Sequence, residues 1–386
     1  MVLLLCVETV RCIQGRHTRF MIAKTPGEEQ PSIPVVPVPP ASKNSRKGFD
    51  PAGKFLYSRP WPLFWPLPGE ERFMDTRRIE QARTPVERLR GLAGYFFQRK
   101  ILRRDLPLLA SFKLTYRCNL RCAPCPYHRR GDALRAHIGW EAATAALDEL
   151  QRAGCRIVVF EGGEPLLWSD GTRTFRDLAL YARDRFLCTA ATTNGTQSLD
   201  VPVDVLWVSL DGTKDTHDRL RSGSFDRVWS NLEKASHGKL LVHFTMNREN
   251  WRDLGELLDA LKQRPAVRGV TVQIFYPYGQ GEENLAIGPA ERREAIGNAI
   301  ELKDRGYPII NSRRSLDRMI TNGWKCHDRL LVNVDPDGSI TQGCYVRSRG
   351  VVRCAECGFT PVAELSGAFD WMPGSILAGW KAFVQP

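Results

Sequence analysis

Between about residues 111 and 310, short runs rich in β-branched residues alternate with stretches of helical periodicity. This alternation constrains the fold more than any other feature of the chain. The predicted strands are Phe112–Tyr116, Arg156–Phe160, Cys188–Thr193, Val205–Leu210, Leu241–Met246 and Val270–Tyr276. Helical patterns lie between them near 139–153, 173–185, 225–236, 251–263 and 289–305. Alternation of this length argues for βα units around a parallel sheet. Right-handed crossovers curl six such units into a barrel or partial barrel, with chemistry at the C-terminal strand ends. The expected fold class is therefore α/β, a partial (β/α)6 TIM-type barrel, and no internal sequence repeat is visible.

Four regions follow from composition. Residues 1–70 hold eleven prolines between Pro26 and Pro68, a density that prevents regular helix or central strand and favours extended chain. A start placed too far upstream explains this segment equally well, with Met21 and Met74 as later starts. Residues 71–107 form a basic region. In it Thr84-Pro85-Val86-Glu87 reads as a capping box, and Leu89, Leu92, Ala93, Phe96, Phe97 and Ile101 recur at helical spacing among arginines. Such a helix either lies on an anionic membrane surface or packs its apolar stripe on the domain behind it. Residues 108–310 are the barrel, and 311–386 a Cys-rich C-terminal extension. The chain has 386 residues and a net charge of +12, but residues 1–110 hold 19 Lys and Arg against 10 Asp and Glu. The charge belongs to the N-terminal region rather than to the strand ends, which argues against a nucleic-acid-binding function.

The loop after the first predicted strand reads Tyr-Arg-Cys-Asn-Leu-Arg-Cys-Ala-Pro-Cys and carries Cys118, Cys122 and Cys125. Cysteine thiolate is the usual protein ligand of iron–sulfur clusters, so three thiols on one loop can hold three irons of a [4Fe–4S] cubane. The fourth iron is then open to a small molecule. His128 is the one nearby candidate for a fourth ligand of a closed site. Seven of the eleven cysteines fall in two groups, a pattern that reads as metal binding rather than disulfides in a reducing compartment. Cys155 and Cys188 read as small buried apolar residues. No apolar run approaches a membrane span, and the expected location is the cytoplasm, at the inner membrane face only under the membrane-surface reading of the basic helix.

The Cys-x3-Cys-x2-Cys spacing resembles the signature of the radical S-adenosylmethionine superfamily, and further motifs follow in the expected order. Gly162-Gly163-Glu164-Pro165 ends the second strand, and the resemblance implies that Gly162, Gly163 and Glu164 contact the methionyl amino group of S-adenosylmethionine. Asn194 closes the third strand, and Ser209 and Asp211 the fourth; the resemblance carries these three to the same cofactor, whose ribose hydroxyls and carboxylate short polar side chains can bind. At the position before the third cysteine the superfamily usually has an aromatic residue, and here it is Pro124, with Tyr127 as the candidate to supply ring packing. The resemblance implies an enzyme with a [4Fe–4S] cluster, S-adenosylmethionine and a one-electron donor such as flavodoxin or ferredoxin. It names no catalytic residue.

A second group, Cys326, Cys344, Cys354 and Cys357, could hold an auxiliary iron–sulfur cluster, a zinc ion, or no metal, with His327 as an alternative ligand. The layout with a terminal Cys-x2-Cys-Gly-Phe-Thr-Pro and His217-Asp218 is similar to that of adenosylhopane synthase-like members, which implies a lipid or terpenoid substrate. A SPASM- or twitch-like reading of the same cysteines implies modification of a ribosomal peptide. A non-catalytic iron–sulfur or zinc protein binding nucleic acid is the reading from another class.

Overall fold

The computed structural model describes residues 83–129, 136–347 and 349–385. The proline-dense segment 1–70 and residues 71–82 lie outside these described residues.

Helix α1 (Pro85–Phe96) begins as its sequence dictates. Thr84 Oγ1 accepts the Glu87 N–H at 3.2 Å, and the Glu87 carboxylate accepts the Thr84 N–H at 2.8 Å. A turn of π geometry (Phe97–Ile101) extends it. Its inward side, however, is not its whole apolar stripe. Arg88 and Tyr95 are the buried residues, and Leu92 and Phe96 are partly buried against the core. Val86, Leu89, Phe97 and Ile101 stay 65, 51, 55 and 65% exposed. The reason is the polar tips of the two buried side chains: Arg88 reaches Asp204, and the Tyr95 hydroxyl donates to the Leu106 carbonyl at 2.7 Å.

The strands are β1 (Leu109–Thr115), β2 (Ile157–Gly162), β3 (Ser169–Asp170), β4 (Arg173–Thr174), β5 (Cys188–Thr193), β6 (Val205–Ser209), β7 (Leu240–Met246), β8 (Val267–Ile274), β9 (Leu331–Val334) and β10 (Ile340–Gln342). Eight of them form one sheet in the order β10-β9-β1-β2-β5-β6-β7-β8, parallel throughout except for the β10–β9 pair. The small β3–β4 hairpin stands apart. The remaining helices are α2 (Trp140–Arg152), α3 (Phe175–Arg185), α4 (Lys214–Leu220), α5 (Phe225–Lys234), α6 (Leu254–Leu261), α7 (Pro289–Asp304), α8 (Arg313–Met319), α9 (Thr360–Phe369) and α10 (Pro373–Gly379). The expected α/β partial barrel is present, with each of the six predicted strands and five predicted helices in place within a few residues.

Strand side chains alternate between the two faces. Outward residues such as Phe112, Leu114, Val158 and Phe160 pack with the helices in one continuous core. Inward residues change character along each strand. Apolar Leu109, Val159, Val205 and Leu241 lie toward the N-terminal ends, and Lys113, Glu161, Ser209 and His243 lie toward the C-terminal ends. The barrel is completed on its β8 side without a further strand. Asn311 accepts the Val272 N–H and donates to the Val272 carbonyl, both at 2.9 Å, as a strand neighbour would. Ile274 N–H donates to the Gly358 carbonyl at 3.3 Å, and a Cβ at Gly358 would sit 2.2 Å from Ile274. The C-terminal segment therefore seals this flank through a glycine that no other residue could replace without displacement.

Candidate active site

The cysteine loop leaves β1 at its C-terminal end, on the rim where the inward face is polar. Neighbouring turns fix its path. Asn119 Nδ2 donates to Thr196 Oγ1 at 2.8 Å, Arg121 N–H to Ser222 Oγ at 3.0 Å and Ala123 N–H to the Leu220 carbonyl at 2.8 Å. Cys122 is buried, and Cys118 and Cys125 are partly so. Burial pushes the Cys122 thiol up to about 12, against the opposing charge of Arg221. Burial also raises the Cys118 thiol, opposed by the Leu120 N–H and an Asn194 amide N–H that its Sγ accepts at 3.4 and 3.6 Å. Among the described residues no three His, Cys, Asp or Glu side chains close on one metal-ion position. Three thiols on one loop with N–H donors to sulfur fit a cubane, which takes one thiolate per iron instead of several ligands on one ion.

Gly162 and Gly163 run against the end of β1. Gly162 has φ +128°, and a Cβ there would lie 2.2 Å from the Thr115 oxygen; at Gly163 it would lie 2.1 Å from the Arg117 oxygen. Both line the cavity described below. Glu164 is fully buried and outside the cavity wall. Its carboxylate accepts the Thr193 hydroxyl at 2.8 Å, the Asn194 N–H at 2.7 Å and the Leu166 N–H at 3.1 Å. Burial pushes it up to about 7 despite these donors. Its side chain thus ties the end of β2 to the end of β5.

Asn194 and Ser209 both face the cavity. Asp211 does not; it is fully buried, accepting the Thr245 N–H at 2.8 Å and Arg221 Nε at 2.6 Å. Arg221, which carries no motif signal, stands on the cavity wall beside the cysteines. His217 fixes this corner. Its Nδ1 accepts the Asp211 N–H at 3.2 Å, while its Nε2–H donates to Ser224 Oγ at 3.1 Å, since that hydroxyl is spent on the Arg221 carbonyl. Tyr127 stacks on Tyr116, rings 4.6 Å apart, and Pro124 lines the cavity as well.

The cavity measures about 380 Å³ and runs from the cysteine loop into the barrel. Its walls include Lys113 and Glu161, which the sequence reading missed; a charged residue at an inward position of an otherwise apolar strand was the available signal.

Cys326, Cys344, Cys354 and Cys357 come together within electrostatic reach of one another on the C-terminal side. Burial, then Asp328 and the neighbouring thiols, push Cys326 up to about 12. His327 is turned to Asp370, with Nε2 at 2.8 Å from its carboxylate. Cys155 and Cys188 are buried in the apolar interior.

A family model described as the radical SAM superfamily matches residues 112–261. Fe-coproporphyrin III synthase of Methanosarcina barkeri is 28% identical over 53% of this chain and 55% of that protein. AdoMet-dependent heme synthase of the same organism is 27% identical over 67% of this chain and 78% of that protein. This chain thus spans about half the length of the first relative. Among solved structures, Streptococcus suis SuiB bound to S-adenosylmethionine superposes with a TM-score of 0.51 at 14% identity, over 72% of this chain and 68% of that one. The same protein bound to its precursor peptide SuiA gives 0.50 at 14% identity, over 78% and 71%. These structures share the fold. No described helix is long and apolar enough to cross a membrane. Residues 112–261 thus carry a radical SAM domain, the domain of enzymes that use a [4Fe–4S] cluster and S-adenosylmethionine.

Proposed function

We propose that this chain is a radical SAM enzyme that transforms a small organic molecule drawn into the barrel cavity. One observation carries the reading: Cys118, Cys122 and Cys125 share a cavity wall with Asn194, Ser209 and Arg221 at the C-terminal strand ends. The three cysteines would hold the cluster. Gly162, Gly163, Asn194 and Ser209 would position S-adenosylmethionine, with Glu164 and Asp211 holding the strand ends that present them. Bound together, these cofactors supply one-electron reductive cleavage of a carbon–sulfur bond. Asn194 would stabilise the Cys118 thiolate, and Arg221 would offset negative charge at Cys122 and Cys125.

The cavity falls in the range of small-molecule sites, about 300–1,000 Å³. Together with the two synthases reported above, this supports a compact organic substrate, and iron-coproporphyrin is the first compound to test. A ribosomal peptide is the second reading, supported by the four C-terminal thiols, which would hold an auxiliary cluster. The electron would come from a flavodoxin- or ferredoxin-type donor. The exposed residues Val86, Leu89, Phe97 and Ile101 of the basic region support contact with an anionic membrane surface. Flotation with anionic vesicles, lost on Phe97→Ser/Ile101→Ser substitution, tests that contact.

The central test is anaerobic. Reconstituted full chain should release 5′-deoxyadenosine from S-adenosylmethionine under dithionite, faster with iron-coproporphyrin present. An unchanged yield in Cys122→Ala overturns the enzyme assignment, and stimulation by a precursor peptide alone moves the substrate to the second reading.

A further inference from the structure

The cavity has two chemically different ends. Near the cysteine loop its wall carries Lys113, Glu161, Arg221 and His243. Away from it the wall is mostly apolar, Trp207, Leu365, Ala378, Ala382 and Phe383, with the Trp207 and Phe383 rings 5.6 Å apart; Glu364 on the same wall is spent on the Ser312 N–H and hydroxyl at 2.7 and 3.0 Å. A ligand filling both ends is polar at one end and apolar at the other.

Lys113 sets the sign of the polar end. Its side chain is 3% exposed, yet it reaches the cavity wall. The Ser111 hydroxyl donates to Glu161 at 2.8 Å, so its oxygen is left to accept the Lys113 ammonium at 2.5 Å. The Glu161 carboxylate itself stands off at 3.7 Å. An ammonium carries three donors, and one acceptor, a loose carboxylate and the Tyr345 ring with its centroid 5.6 Å away are poor solvation for a buried cation. Burial, together with Arg349, lowers Lys113 to about 8. Arg349 is already paired with Asp335 through three contacts of 2.8, 2.9 and 2.9 Å, and Arg221 with Asp211 at 2.6 Å. The phenols of Tyr278 and Tyr345 on the same wall are held neutral by burial, with Glu161 adding to the effect, and so are donors. Ammonium and neutral phenols on one wall are complementary to an oxyanion.

We infer that Lys113 anchors a carboxylate of the substrate, whose apolar body extends toward Trp207 and Phe383. The substrate class is then an amphipathic carboxylic acid, rather than an amine or a neutral hydrocarbon. The inference rests on the cavity being the substrate chamber. Glu161 acts as the competing anion that holds Lys113 until the substrate carboxylate arrives.

The test is direct binding, read without turnover. Dodecanoate, dodecan-1-ol and dodecylamine are titrated calorimetrically into the reconstituted full chain. Dodecanoate should bind about tenfold or more tightly than the other two, the scale of a charge-assisted hydrogen bond. Lys113→Met should remove that preference while leaving the alcohol's affinity unchanged. Glu161→Gln should tighten dodecanoate binding by freeing the ammonium. No preference for the acid, a preference for the amine, or a preference that survives Lys113→Met overturns the inference. If Lys113→Met does not fold, Glu161→Gln decides: tighter binding supports the anchor, and equal or weaker binding overturns it. Loss of 5′-deoxyadenosine formation with acid binding intact would instead strike the enzyme reading alone.

Discussion

Arg88 of α1 donates to Asp204 at 2.7 Å, and the two side chains are only 8% and 4% exposed. The same guanidinium donates to the Phe383 carbonyl at 2.9 Å. The second Asp204 oxygen accepts the Thr189 N–H at 2.8 Å and its hydroxyl at 3.0 Å. One ion pair thus joins the first described helix, the β5–β6 connection and the C-terminal turn. Breaking a buried pair by deleting one partner strands the other charge. Arg88→Ala should cost about 3 kcal/mol in urea unfolding, since Arg183 at 3.7 Å is a poor substitute. An unchanged midpoint would contradict a structural role for the pair.

Gly163→Ala should be disruptive in a way that charge changes nearby are not. Its Cβ would meet the Arg117 oxygen at 2.1 Å, so β2 and the start of the cysteine loop must separate. The expected cost exceeds about 2 kcal/mol, with reduced iron content after reconstitution. Wild-type iron content and melting temperature in this variant would rule out the close approach.

His217 makes the fold sensitive to acid. Burial, reinforced by Arg221 and opposed by Asp211 and Asp218, lowers its imidazole to about 4 from the usual 6.5. Between these values the unfolded chain binds the extra proton and the folded chain does not. Stability should therefore fall as pH drops from about 6.5 to 4, by up to about 3 kcal/mol, and this contribution is flat above 6.5. Unfolding titrations across this window, compared with His217→Gln, measure it; an equal slope in the variant assigns the effect to other groups.

The two cysteine groups should separate under mutation. Cys122→Ala is expected to abolish 5′-deoxyadenosine formation. Cys357→Ala is expected to keep it while iron and sulfide per chain fall by about half, as for loss of one of two clusters. Full metal content in Cys357→Ala, measured by elemental analysis, would remove the auxiliary cluster from the proposal.

Much of this was legible because the signals are local. β-Branched runs and helical spacing located the six barrel strands, since each strand needs only its own alternation to be recognised. The Thr84–Glu87 cap was readable for the same reason. The short β9 and β10 strands carry too few residues for a pattern, and pairing of Leu331–Val334 with β1 is a tertiary fact. Cys118, Cys122 and Cys125 announced themselves by spacing, whereas Arg221 acquires its place only because α4 folds back on the cysteine loop through the Leu220 carbonyl. The outward turn of Leu89, Phe97 and Ile101 was also hidden, because hydrophobic periodicity records which residues share a face and not which face meets the protein.

The Arg88–Phe383 hydrogen bond links positions 295 residues apart. The chamber walls from β1 to β8, by contrast, pair in chain order, and only the β1–β9 pairing, Leu109 opposite Leu331, is comparably distant. Long-range closure is slow because its entropy must be met before contacts reward it. The expected assembly order is walls first, floor last, which pulse-labelled hydrogen exchange would check. Residues 378–383, which furnish that floor, are therefore a late-closing door at the foot of the barrel, and a fusion or deletion placed there should alter what the chamber admits long before it alters the cysteine rim.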